Sequence, residues 1–91
     1  MKIIPIFAKK EMPEIFRLFG FSFFFYSREH EPLHVHVEGK SGMAKFVWNG
    51  SEFVLKEMFG IKTGDFKKIR TVIDDNADII IARWNEHFNQ E

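Results

Sequence analysis

Apolar and polar positions change their period twice along this chain. Phe21-Ser22-Phe23-Phe24-Phe25-Tyr26 is aromatic at all but one position, the pattern of a strand buried on most of both faces. Ahead of it, Glu14 to Phe19 is apolar at Ile15, Phe16, Leu18 and Phe19; Gly20 breaks the run, which is too short to define an element. Ser27-Arg28-Glu29-His30-Glu31-Pro32 is polar, ends in proline and reads as a connecting loop. Leu33 to Glu38 then alternates, with Leu33, Val35 and Val37 on one face and His34, His36 and Glu38 on the other, which predicts a half-buried strand. Gly39-Lys40-Ser41-Gly42 turns the chain into a further strand, Met43 to Trp48, whose Ala44, Phe46 and Trp48 share a face. Asn49-Gly50 has the residue types that take the positive φ angles of a tight hairpin turn. Glu52 to Glu57 follows as a strand with Phe53 and Leu55 facing together. Strands joined by such short turns form an antiparallel meander.

From Thr63 the period lengthens: Phe66, Ile69, Ile73, Ala77, Ile80, Trp84 and Phe88 step by three or four, a helical stripe. Thr63 or Asp65 is the candidate cap at its start. Asp74-Asp75-Asn76 is a poor helix interior, so two helices are predicted, near 65–75 and 77–89, with one kinked helix as the alternative. The fold class is therefore α+β: an antiparallel sheet of three to four strands with C-terminal helices packed on one face.

Ninety-one residues make a single domain, and 12 Phe, two Trp and one Tyr supply enough apolar surface for a core without staples. The absence of cysteine excludes a disulfide scaffold, a thiolate zinc finger and a thiol nucleophile. No apolar run approaches the roughly 18 residues of a membrane span. Met1 to Phe7, interrupted by Pro5, makes a poor signal peptide, so a cytoplasmic location is expected. Thirteen basic side chains balance 13 acidic ones, and no third of the chain is strongly polarised. Binding to nucleic acid mainly through phosphates usually needs a basic excess, so composition does not announce it.

The candidate chemistry lies in His30-Glu31-Pro32-Leu33-His34-Val35-His36, which holds three of the four histidines. On one strand His34 and His36 project from the same face about 6.7 Å apart and can converge on one metal ion. Glu38 lies about 13 Å from His34 along the strand, too far to share that ion. His30, on the loop, is the better third ligand, with Glu29 or Glu31 as fourth ligand or orienting partner; a divalent transition metal such as zinc suits this set. The same histidines can instead flank a phosphodiester as acid and base, since an imidazole near pKa 6.5 holds both forms near neutrality. Such a site needs a donor for phosphate oxygens, either Arg28 or Lys45, the latter only if its strand pairs beside that of the histidines. A third reading is structural, with His34 and His36 simply lining a solvent-facing strand or bonding across the sheet.

Other features read as structure. Trp84 and Phe88 fall on the apolar stripe and anchor the core. Lys67, Lys68 and Arg70 form a solvated helix face, and His87 is a partly exposed residue favoured near a helix C-terminus by the dipole. The strand from Phe21 leaves a second aromatic face that needs cover, from the N-terminal segment, a partner chain or a second copy of the protein.

Met12-Pro13-Glu14-Ile15-Phe16 with Gly20, the run from Tyr26 to Val37, and Arg83-Trp84-Asn85 together resemble the bacterial domain-of-unknown-function 4160 family over about residues 12–88. Its hallmark is an acidic residue followed by His, Pro and a His-aromatic-His-Val run; Glu29, His30, Pro32, His34, His36 and Val37 occupy those places. Leu33 replaces a usual second proline and Val35 the usual aromatic. The resemblance brings membership rather than an activity. Genes of this kind often sit beside another small gene, an arrangement suggestive of toxin–antitoxin pairs. It implies a toxin-like accessory domain acting on RNA through the histidine cluster, or a non-catalytic module binding the neighbouring small protein, or a metal-binding domain using the same residues. The family usually starts at the equivalent of Met12, which makes residues 1–11 an extension or an edge strand and residues 12–91 the domain.

Overall fold

The computed structural model of the chain describes residues 14–26 and 32–88. The strands are β1 (Glu14–Leu18), β2 (Phe21–Phe24), β3 (His34–Glu38), β4 (Met43–Trp48) and β5 (Phe53–Phe59), and the helices are α1 (Thr63–Asp75) and α2 (Ala77–Phe88). The five strands form one antiparallel sheet in chain order, a meander with one strand more than the sequence pattern suggested. The added strand is β1, whose pattern is obscured by a bulge: Ile15 falls between the pairs Glu14↔Phe24 and Phe16↔Phe23, so Ile15 and Phe16 are both buried. The proposed N-terminal extension or edge strand, residues 1–11, lies outside the described residues.

β1 and β2 join through a two-residue turn in which Phe19 and Gly20 both have left-handed backbone, at φ 54 and 78. That is the geometry of a type I′ hairpin, and it costs a residue with a Cβ about 1–2 kcal/mol. The turn between β4 and β5 differs from the expected two-residue form. Asn49 N–H donates to the Glu52 carbonyl, only Gly50 has positive φ, and the Asn49 side-chain oxygen accepts from the Ser51 and Glu52 N–H groups at 2.9 Å each. The asparagine thus closes the loop with its side chain rather than with left-handed backbone. β5 also carries a bulge: Phe46 faces Leu55 and Lys45 faces Glu57, leaving Lys56 as the extra residue.

The helical stripe holds as read. Ile69, Ile73, Ile80 and Trp84 are buried, with Phe66, Ala77 and Phe88 packed against the same core. Asn76 separates two helices, its N–H and side-chain NH2 both donating to the Val72 carbonyl while its own carbonyl accepts from Ile80 N–H. Neither Thr63 nor Asp65 caps α1; Lys62 occupies the cap position with no side-chain hydrogen bond. The core joins the helices to Phe23, Val35, Val37, Ala44 and Phe46 of the sheet. At its lower end the backbone of the β3–β4 turn lies directly on the β5–α1 connection. A Cβ at Gly60, φ 70, would collide with the Ser41 carbonyl, and one at Gly42 with the Gly60 carbonyl. Among the described residues no helix is long and apolar enough to cross a membrane.

Candidate functional site

β3 places His34 and His36 two residues apart, and their rings meet edge to face with centroids 4.9 Å apart and planes at 87°. This is closer than a flat strand would give, because the rings lean toward each other. The half-buried strand expected here is buried on both sides: His34 is 2% exposed and His36 6%. Alternation of apolar and polar residues reported side-chain polarity correctly and exposure wrongly.

Among the described residues, aromatic rings pack against both histidines. The register of β2 on β3 sets Phe24 opposite His36, and the two rings stack at 5.4 Å. Tyr26 meets His36 edge on at 4.8 Å and also contacts Phe24. Trp84 of α2 reaches His34 at 5.0 Å and Phe25 at 5.3 Å, so one indole ties the helix layer to β3 and to the end of β2. Phe24 is 1% exposed, whereas Tyr26, on the same phase of the strand, is 37% exposed. The partners Phe24 and Tyr26 share one phase of a period-two strand, and that signal was available; the strand register that delivers them to His36 was not.

Hydrogen bonding orients His34. Its Nδ1 lies 2.7 Å from the Pro32 carbonyl. A carbonyl only accepts, so Nδ1 carries the hydrogen, and in the neutral ring the lone pair resides on Nε2. Metal-binding imidazoles are commonly oriented this way, the other nitrogen being held by a backbone carbonyl. Among the described residues no three His, Cys, Asp or Glu side chains stand together as a metal site. Glu29, His30 and Glu31, the expected further ligands, lie with Arg28 outside the described residues. Lys45 satisfies its condition: β4 pairs with β3, and Lys45 stands directly opposite His36, with Glu57 on its other flank.

The cations of the basic helix face are not alike. Arg70 bridges Glu52 and Asp74 at 3.3 Å each and lies 5.7 Å over the Phe46 ring, while Lys67 and Lys68 are exposed.

A small α+β domain with an antiparallel meander and an interior His-x-His strand is the class these features define. Residues 20–85 match the model of the family described as Domain of unknown function (DUF4160), and the chain belongs to that family. No curated protein and no solved structure matches the chain.

His87 departs from expectation in one respect. Its ring packs against Phe25 at 5.3 Å and Phe88 at 4.5 Å, and burial holds its pKa below the ordinary 6.5. Loss of water therefore outweighs the stabilisation of charge by the helix C-terminus. In the unfolded chain this imidazole protonates near pH 6.5, above its folded pKa, so the unfolded state binds more protons as pH falls through that window. Its contribution to stability is present above about pH 6.5 and is lost on acidification. Replacing His87 by Gln should make the fall in Tm between about pH 7.5 and about pH 5.5 shallower than in the wild type, as followed by circular dichroism.

Proposed function

We propose that this domain is a non-catalytic module that binds a protein partner through the edge strand β5, the partner being the small protein of a neighbouring gene. One observation carries the reading: of the described residues, the exposed large apolar side chains are Phe19, Tyr26, Val54, Leu55, Met58 and Phe59, and the last four belong to β5. So concentrated an apolar edge is costly to leave in water and is typical of an interaction surface. The bulge at Lys56 interrupts the outward ladder, a device that discourages indiscriminate strand addition. Recognition then rests on side chains. Leu55 and Met58 share the face of their partners Phe46 and Ala44, and Val54 and Phe59 occupy the opposite face. Co-expression with the neighbouring protein should yield a complex that survives purification. The double substitution Leu55→Asp with Phe59→Ser should abolish it while shifting thermal unfolding little, since both residues are exposed. Failure of the two proteins to co-purify, or a variant that keeps its partner, contradicts the reading.

The orientation of His34 by the Pro32 carbonyl favours a second reading, in which His34 and His36 with His30 hold a divalent metal such as zinc as an internal strut. Tag-free protein should then bind close to one equivalent of zinc, with binding lost in both His34→Ala and His36→Ala; equal uptake by wild type and variants removes it. Proton transfer to RNA by the same rings requires a phosphodiester to reach their nitrogens, and the burial of both rings weighs against it.

A further inference from the structure

At the end of the sheet marked by Gly20, Gly39, Gly42 and Gly60, two open depressions of about 260 and 400 Å³ adjoin, sharing Gly20 and Lys40 in their walls. Phe19, Lys62 and Asp65 line the first; Arg17, Ser22 and Glu38 line the second. Phe19 is the anomaly here. It is a bulky side chain at φ 54, where Asn or Gly is the favoured residue, and it is 63% exposed, so neither backbone preference nor core packing accounts for it. Its ring carries the Lys68 ammonium 5.5 Å from its centroid. An aromatic ring held out in a strained position, with one ammonium over it and two more lysines lining the same depression, is a constellation that function, rather than stability, explains.

We propose that this turn end binds a single-stranded polynucleotide, with Phe19 as the stacking platform for a base and Lys40, Lys62, Lys68 and Arg17 as phosphate contacts. The chemistry is that of sequence-tolerant single-strand binding: a base offers a flat face to the phenyl ring, and successive phosphates follow the cations along the two depressions. The acids in the walls are compatible with this. Arg17 is paired with Glu14 at 2.9 Å yet remains largely exposed, and Asp65 and Glu38 are outnumbered by the four cations. The proposal is independent of the β5 reading, and it places nucleic acid away from the histidine pair, at the turn following Glu38.

The test uses the full chain and a fluorescein-labelled 12-nucleotide oligouridylate, with anisotropy read at low and rising salt. Binding should occur at low salt. Phe19→Asn should weaken it about 5- to 150-fold, the usual range for losing one base–aromatic stack, while Tm stays equal or rises because Asn-Gly suits the turn. Lys40→Gln and Lys62→Gln should each reduce the slope of log K against log salt by about 0.7. No binding by the wild type, unchanged affinity in Phe19→Asn, or a lowered Tm in that variant overturns the proposal. So does loss of a co-purifying protein in Phe19→Asn without any oligonucleotide binding, which would assign the ring to a protein contact.

Discussion

The register of β2 against β3 is the constraint on which the rest of this molecule depends. It sets Phe23 against Val37 on the core side and Phe24 against His36 on the other. A slip by one residue would exchange these faces, sending His36 toward the helices and Val37 toward Tyr26. With the register as it stands, β2 has apolar side chains on both faces and β3 has a polar pair that must live among rings. The T-shaped contact of the two imidazoles, the stack on Phe24 and the indole of Trp84 are the local solution. The same indole touches Phe25, so packing of α2 and enclosure of His34 are one event rather than two.

That arrangement leaves the outer surface as the place where this domain can meet a large partner. A side chain enclosed on this scale can position, ligate an ion or specify the fold, but it offers little to a macromolecule. What remains at the surface is unusual in composition. β5 presents Val54, Leu55, Met58 and Phe59, and the turn end presents Phe19 among cations. The two regions are neighbours, because Phe59 leads into Gly60, whose backbone rests on the β3–β4 turn that carries Lys40 and Ser41. Among the described strands, the first and last of the sheet are both bulged, at Ile15 and Lys56, which suits a sheet that exposes apolar side chains without inviting more strands.

Much of this fold is legible in the sequence. The bounds of β4 and the stripe from Phe66 to Phe88 follow from period, since these elements bury one face each, and the separation of the helices at Asn76 follows from the residue types of Asp74-Asp75-Asn76. β1 is not legible because a bulge breaks a five-residue alternation. The Asn49-Gly50 turn misleads because Asn acts there through its side-chain oxygen, and the α1 cap misleads because Lys62 fills that position without a side-chain bond. The histidine pair is visible as a cluster, and its neighbour Lys45 as a conditional one. Its burial is not, because Phe24, Tyr26 and Trp84, which pack against it, arrive through strand pairing and helix docking, up to 50 positions away in the chain. Phe19 is likewise visible only as an apolar residue before a glycine; its left-handed backbone and exposure belong to the structure.

The most direct test of the central claim, that His34 and His36 are interior residues of an aromatic box, is hydrogen–deuterium exchange at the imidazole Cε1 position of the native protein, read residue by residue by mass spectrometry. His34 and His36 should exchange far more slowly than the partly exposed His87, and all should become equally fast on unfolding. Rapid exchange of His34 and His36 in the folded protein would contradict the account and restore the pair as an open chemical site.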